Sequence, residues 1–427
     1  MSSRISNSMI VIAIVAMLAL MLSAPSVSAQ GAQPPQWNEG DSWALGKAVN
    51  VDQSDLSALS DSLNHSFGNG INQFDAEAYV GAWVLFKVAD VTATEYLVQG
   101  KLAVKFTADA NLSAGMRMPA PGKYTLWELP SVPKTMRNIT AHLVVKAALV
   151  IDSEAILDKD STALKNYHLG MKVNAKVALD MKGVPDLKIE NGYATYRYTN
   201  FSTTMTLKFD ADLNLAFSPA LDMFDFPINV GDQWDVKSNV TITGSLAGQL
   251  DSTGLPEFLK DEIFKAEPLK KANITAFPID LSKLINNDQP PVHNGTIGPI
   301  TQEINAHLMC ANNFTVTLPF YGKIDVYEIQ GGSDKIYYSD DIHFLSSANI
   351  SVVENVLPAD MQMETMSPQA AEQQINEVSD FRADIAGEGQ SNGASSFGNT
   401  VLIGGIVIVV IVAIMVVSII MMRRKNP

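Results

Sequence analysis

The feature that most constrains the fold is a long segment of alternating character, "MTLKFDADLNLAF", at residues 205–217. Its odd positions are apolar, and most of its even positions are polar. A period of two places the apolar side chains on one face of a β-strand and the polar ones on the other. Thirteen extended residues reach about 43 Å, more than twice the length of a typical strand. The pattern therefore predicts an unusually long strand with one apolar face.

Similar alternating segments recur along the chain. They lie at residues 102–112, 143–151, 171–181 and 240–250, and a hairpin is predicted from 314–320 and 323–329. Strands with one polar face favour an antiparallel sheet. The sequence thus predicts a mainly β fold of long-stranded antiparallel sheets, either one curved sheet or a sandwich. Short helices are predicted at 54–68, after Pro256, and at 367–387, where Ser367 is the expected N-cap.

The N-terminus predicts export. Arg4 precedes an apolar stretch at residues 9–21, and Val27-Ser28-Ala29 fits the small-x-small rule for cleavage. This pattern predicts a signal peptide at residues 1–29, and an uncleaved membrane anchor is the alternative.

The C-terminus predicts one transmembrane helix at residues 400–422. Residues 401–422 carry no charge, and as a helix they would span about 33 Å, enough for the hydrocarbon core. Arg423, Arg424 and Lys425 follow, so the tail at 423–427 is predicted to be cytoplasmic and the rest of the chain extracellular. We therefore expect a single-pass protein of the cell membrane.

Charge and cysteine content narrow the function classes. The chain has 45 acidic and 30 basic residues, for a net charge of −15. Such a balance argues against nucleic-acid partners and against docking on anionic lipid. Cys310 is the only cysteine, so no internal disulfide forms, and the expectation is a small buried hydrophobe.

The exported part contains nine Asn-x-Ser/Thr sequons, which predict a glycosylated exterior because the acceptor must be exposed. The acceptors are Asn64, Asn111, Asn138, Asn200, Asn239, Asn273, Asn294, Asn313 and Asn349.

A short repeat suggests two related β modules. "EGDSW" at 39–43 and "VGDQW" at 230–234 share Gly-Asp-x-Trp, and each precedes an alternating segment. Glycine permits the turn, aspartate caps its amides, and Trp43 and Trp234 are the expected core anchors. Further on, "EYLVQGKLAV" (95–104) resembles "VYEIQGGSDKI" (326–336). The hypothesis is a first module at 30–227 and a second at 228–366, followed by a juxtamembrane helix and flexible linker at 367–399; coincident turn chemistry is the alternative.

This layout resembles archaeal cell-surface glycoproteins of type I topology. The likeness rests on the signal peptide, the sequons, the "VGDQW" strand start, the lack of disulfides and the terminal "RRK". It implies an envelope glycoprotein and brings no catalytic residues. The long strands are also similar to bacterial lipoprotein carriers, in which a curved antiparallel sheet wraps a hydrophobic cavity, although the lipid-modified cysteine of those carriers is missing here.

No motif for catalysis or for a cofactor is found. HExxH, GxSxG, Walker and GxGxxG motifs are absent, and the six histidines are scattered along the sequence. We therefore expect a non-enzymatic protein without a cofactor. The weak metal candidate is Cu(I), which thioethers select, at Met361, Met363 and Met366.

Three functions remain open from the sequence. The first is adhesion, envelope structure or partner recognition, with other envelope proteins or lipid as partners. The second is a carrier or sensor of an apolar ligand, for which Ala108, Ala110, Ala175 and Ala211 would thin the apolar face and leave room for a cavity. The third is an extracellular hydrolase built from residues distant in sequence. The candidate groove residues are Met205, Leu207, Phe209, Leu213, Leu215, Val173, Val177 and Leu179. The alternative for the same face is that it packs on protein as the core of a sandwich.

Overall fold

The computed structural model describes residues 31–51, 71–257, 260, 263–266, 269–270, 273–281, 292–293, 295–318, 322–331, 334–339 and 364–386. The predicted signal peptide, the helix at 54–68, the transmembrane helix and the tail lie outside these residues. Within the described ranges, none of the helices combines the length and apolarity that a membrane crossing needs.

The chain is mainly β, as the alternation predicts. The strands are β1 (Ser42–Val51), β2 (Ile71–Val91), β3 (Glu95–Pro119), β4 (Gly122–Thr125), β5 (Lys134–Asp158), β6 (Leu164–Glu190), β7 (Tyr193–Leu221), β8 (Gln233–Thr253), β9 (Ile279–Asp280), β10 (Val292–His293), β11 (Thr296–Leu318), β12 (Gly322–Gly331), β13 (Asp334–Tyr338) and β14 (Glu364–Met366), and the helix α1 is Pro368–Ala386.

All fourteen strands that the structure describes belong to one antiparallel sheet. Its order is β13-β12-β11-β8-β7-β6-β5-β3-β2-β1-β14, with β4 beside β7, β9 beside β8 and β10 beside β11. The segment at 205–217 lies inside β7, which has 29 residues, so the prediction of a long strand is confirmed. The sheet continues across residue 228, because β7 pairs with β8. The division into two modules remains a prediction.

The strand register separates two faces of the sheet, because residues opposite each other in neighbouring strands point the same way. On what we call the inner face, Val104, Leu149, Val173 and Phe209 form one row across β3, β5, β6 and β7. The next row, on the outer face, is Lys105, Ala148, Asn174 and Lys208. The inner face is therefore apolar and the outer face largely polar.

The sheet curves toward its inner face. The Tyr338 hydroxyl donates to the Gln33 carbonyl at 2.6 Å, and the Tyr96 hydroxyl donates to the Pro35 carbonyl at 3.2 Å. These two acceptors are two residues apart, about 7 Å along an extended chain. The two tyrosines lie seven strand pairings apart, about 34 Å in a flat sheet, which is more than their side chains can bridge. Curvature brings the two regions together.

One end of the curved sheet is closed by aromatic side chains and by residues 31–40. Ala32 forms a β-bridge with Ile228, and the Trp37 ring lies 4.8 Å from Tyr96 and 6.2 Å from Trp43. These groups join a continuous hydrophobic cluster on the inner face of nine strands. We call this region, which includes the turns at 38–41 and 229–232, the closed end.

The described residues of the segment 254–281, which follows β8 and includes β9, cover the middle of the inner face. Leu269, Ile274 and Ile279 pack with Val177 and Leu207 of the sheet. Helical turns occur here, as predicted after Pro256, since Lys260 and Phe264 amides donate to carbonyls four residues earlier. We call this segment the insert.

Helix α1 packs on the outer face. Ala371, Ile375 and Val378 are at most 2% exposed and contact apolar residues of β1, β2, β3 and β5. The Ser367 hydroxyl accepts the Ala370 amide at 3.2 Å, which confirms the predicted cap. Arg382 donates to the Asn174 side chain at 2.8 Å. Helix α1 is thus fixed to the sheet by apolar packing and by this side-chain hydrogen bond.

Candidate functional site

The candidate site is a partly covered area of the inner face between β2 and β3. Its rows are Ala78 opposite Ala108, Ala76 opposite Ala110, and Phe74 opposite Leu112. Each of these six side chains is only partly buried. We call them the inner-face patch.

The patch forms a depression because its middle rows are alanines. Val80 and Phe106 close one side of it, and Phe74 and Leu112 stand at the other. From Phe106 to Leu112 the strand runs about 20 Å. Both edges are apolar, and the insert cluster contacts Phe106 and Ala108 on one side. The arrangement offers an apolar, shallow surface that is flanked on the Phe106 side by the insert cluster.

The groove residues chosen from the sequence share this face but lie deeper in the protein. Seven of the eight are at most 8% exposed. The eighth, Leu213, is partly buried and packs against the hydrophobic cluster of the inner face. Their contacts are with the insert and the aromatic closed end. Among the alanines expected to leave space, Ala175 and Ala211 are buried at 2% and 3%, whereas Ala108 and Ala110 are partly exposed and belong to the patch.

The two Gly-Asp-x-Trp turns have the same hydrogen bonds. The Asp41 carboxylate accepts the Asn38 amide at 2.8 Å, and the Asp232 carboxylate accepts the Asn229 amide at 2.7 Å. Gly40 and Gly231 have φ of 92° and 97°, a region that favours glycine. The Gly40 amide donates to the Val88 carbonyl of the neighbouring strand, and the Gly231 amide donates in the same way to the Cys310 carbonyl.

The tryptophans that follow these turns both point to the inner face. Trp234 is 9% exposed, and its Nε1 donates to the Met223 carbonyl at 3.3 Å. Trp43 is partly buried beside Trp37 and Phe86. The two similar stretches at 95–104 and 326–336 also occupy matching positions relative to these turns. Val98 pairs with Val88, which accepts the Gly40 amide, and Ile329 pairs with Cys310, which accepts the Gly231 amide.

The sequons that the structure describes are exposed. They are Asn111, Asn138, Asn200, Asn239, Asn273 and Asn313; Asn64, Asn294 and Asn349 lie outside the described residues. Alternation along the strands places Asn111, Asn138, Asn200 and Asn239 on the outer face, opposite the patch.

The sulfur-containing candidates have structural contacts. Cys310 is fully buried in the inner-face cluster, as expected, and burial raises the pKa of its thiol to about 11. Met366 packs against the cluster beneath α1. Met361 and Met363 lie outside the described residues, so the Cu(I) site stays a prediction.

The histidines form separate pairs on polar surfaces. His142 lies 2.9 Å from Asp109, and His307 lies 2.9 Å from Asp235. The hydrogen bond from His307 lowers the pKa of Asp235. Within the part of the chain that the structure describes, no three His, Cys, Asp or Glu side chains gather into a group that could hold a metal ion.

Comparison of the chain with protein-family models, with curated proteins and with solved structures finds no match. The fold and the patch are therefore interpreted from their own geometry.

Proposed function

We propose that this chain is a membrane-anchored, glycosylated extracellular protein that binds an apolar ligand, such as a lipid acyl chain, against the inner-face patch. The observation that carries the proposal is the partial burial of six adjacent apolar side chains on the inner side of a curved sheet. On the same face of β6 and β7, most side chains are buried by the insert and the closed end.

The physical argument is the cost of leaving apolar area in water. Each square ångström of apolar surface removed from water contributes about 25 cal/mol, and a patch on a concave surface lets a ligand contact several side chains together. The short side chains of the alanines at positions 76, 78, 108 and 110 leave this part of the surface recessed. The patch carries no charged side chain, which suits a hydrocarbon chain better than a polar ligand.

The outer face supports the same choice. Four exposed sequon asparagines project from it, and α1 covers part of the rest. Sugars at these positions would hinder a protein partner from docking on this face. For this reason we place ligand binding ahead of adhesion, envelope structure or partner recognition, which the sequence alone favoured.

The proposal is tested by filling the patch. Tryptophan at position 108 would project between Ala78 and Val145, whereas tryptophan at the adjacent Thr107 would project from the outer face. Binding of a fluorescent long-chain fatty acid to residues 31–386 is measured for Ala108→Trp and for the matched control Thr107→Trp. Loss of about 55 Å² of apolar contact is worth about 1.4 kcal/mol, so we expect about tenfold weaker binding for Ala108→Trp alone.

Circular dichroism verifies that both variants fold. If wild-type protein does not bind the fatty acid, or if both variants bind it as tightly as wild type, the proposal is wrong.

A further inference from the structure

Large exposed apolar side chains are concentrated at the end of the sheet opposite the closed end. Of the six in the part of the chain that the structure describes, five lie here, and the sixth, Val230, lies at the closed end. The five are Leu126, Trp127, Met136, Ile189 and Tyr193. Trp127 is 93% exposed. We call this region, residues 115–140 and 182–198, the open end.

Two turns bring four of these side chains together. β4 pairs with β7 so that Thr125 lies opposite Tyr193, and the Leu126 amide donates to the Gly192 carbonyl at 3.2 Å. Ile189 pairs with Ala194, the next residue along β7. The apolar side chains of the two turns therefore lie together at this edge of the sheet, with Ile189 on the face opposite Tyr193.

The turn that carries Trp127 is held by its own hydrogen bonds. The Glu128 carboxylate accepts the Thr125 amide at 2.8 Å and the Thr125 hydroxyl at 2.9 Å. These bonds lower the pKa of Glu128. The Ser131 amide and hydroxyl donate to the Glu128 carbonyl at 2.9 and 2.8 Å. The tryptophan is thus presented to solvent by an ordered turn.

The open end is basic although the chain is acidic. It contains seven basic residues against the three acidic residues Glu128, Asp186 and Glu190, a net charge of +4 in a chain of −15. The basic residues are Arg117, Lys123, Lys134, Arg137, Lys182, Lys188 and Arg197. All except Arg137 are exposed. The acidic composition had argued against docking on anionic lipid, and that argument does not apply to this end.

We propose that the open end inserts Trp127 and its apolar neighbours into an anionic lipid surface. Tryptophan and tyrosine favour the boundary between headgroups and acyl chains, because one part of each ring system is apolar and the other is polar. Lysine and arginine around them attract anionic headgroups. This combination of exposed aromatic side chains and positive charge fits a lipid surface better than an acidic protein, for which charge alone would suffice.

The chain provides its own reporter. Of its five tryptophans, Trp37, Trp83 and Trp234 are at most 9% exposed and Trp43 is partly buried, so Trp127 is the one that a membrane would transfer out of water. Protein spanning residues 31–386, verified to be folded by circular dichroism, is mixed with vesicles of equal parts phosphatidylglycerol and phosphatidylcholine. The expected result is a shift of tryptophan emission to shorter wavelength and quenching by brominated lipid, both abolished in Trp127→Phe.

Charge is tested separately by co-sedimentation with the same vesicles. Lys123→Gln/Lys134→Gln removes two charges from the open end, and we expect about 30-fold weaker binding at low salt. The matched control, Lys87→Gln/Lys237→Gln, removes two exposed charges elsewhere and should bind within about twofold of wild type.

Absence of an emission shift in the wild-type protein overturns the proposal, and so does equal loss of binding in the two lysine pairs. Because vesicle binding is read from Trp127 and fatty-acid binding from position 108, failure of one proposal is distinguishable from failure of the other.

Discussion

The two ends of the sheet use the same aromatic residue types in opposite ways. At the closed end, Trp37 and Tyr96 are 3% and 0% exposed, because residues 31–40 cross Tyr96 and place Trp37 against its ring. At the open end, Trp127 is 93% exposed on a hydrogen-bonded turn. The difference lies in the covering backbone, not in the side chain.

Charge follows the same division. Residues 38–41, 88–95, 157–165 and 219–233 at the closed end contain nine acidic and two basic residues, a net charge of −7, against +4 at the open end. Lys165 forms ion pairs with Glu95 and Asp158 at 3.1 and 3.0 Å, so the charge of this lysine is neutralised within the closed end. The closed end is arranged for stability, and the open end presents groups to a partner.

Removing a tryptophan from each end is the strongest test of this comparison. Trp37→Ala leaves a cavity beside Tyr96 and Trp43, and we expect it to lower the free energy of unfolding by about 3–5 kcal/mol. Trp127→Ala removes a side chain that water already surrounds, and the expected change is within about 0.5 kcal/mol. Urea unfolding measures both. Equal losses would show that the open-end turn is part of the core.

The two Gly-Asp-x-Trp turns allow a comparison within the closed end. A β-carbon at Gly40 or Gly231 meets nothing within 4 Å, so alanine adds only the strain of positive φ. Gly40→Ala and Gly231→Ala should each cost about 1–2 kcal/mol and agree with each other, because the hydrogen bonds match. Thermal unfolding of the two variants measures the costs. A large difference would argue against equivalent structural roles.

Tyrosine hydroxyls provide a smaller contrast between the ends. Tyr338, which is 0% exposed, donates to Gln33, and the partly buried Tyr124 donates to Ala120 at 2.9 Å. We expect Tyr338→Phe to cost about 1 kcal/mol, and Tyr124→Phe to cost less because water can reach the freed carbonyl. If Tyr338→Phe has no effect on urea unfolding, this bond does not hold residues 31–40 in place.

The smallest expected effect is on the turn around Trp127. Hydrogen bonds from Thr125 lower the pKa of Glu128 in the folded protein. The stabilisation that these bonds give the turn is therefore present above the pKa of the unfolded state, and it is lost as the pH falls through the pKa of the folded state. The protection factor of the Thr125 amide, which is the ratio of its intrinsic to its observed hydrogen-exchange rate, should therefore be retained until the pH is below the ordinary glutamate range. Glu128→Ala should remove this protection at neutral pH, and unchanged exchange in that variant would contradict the account.

Local patterns predicted much of the fold. The alternation at 205–217 predicts the strand β7, and Ser367 predicts the start of α1, because both depend on nearby residues. The sequence could not decide between one curved sheet and a sandwich, since curvature depends on contacts such as Tyr338 with Gln33, 305 positions apart.

The site was harder to predict for two reasons. The most regular alternation belongs to a central strand, which the fold buries most completely, so Leu207 and Phe209 became core while Ala108 and Ala110 form the patch. Apolar and polar residues do not alternate regularly in the turn "TLWELPSVP" of the open end, so its sequence does not indicate that the tryptophan is exposed. The net charge of the whole chain also conceals the basic open end, because it sums the charges of every region.

The most direct test of the central claim is native mass spectrometry of the enzymatically deglycosylated protein, residues 31–386, after expression in a cell with its own lipids. The account predicts a co-purifying apolar compound that is released on denaturation and whose amount falls in Ala108→Trp but not in Thr107→Trp. A mass equal to the polypeptide alone, in protein that also fails to take up added fatty acid, would contradict it.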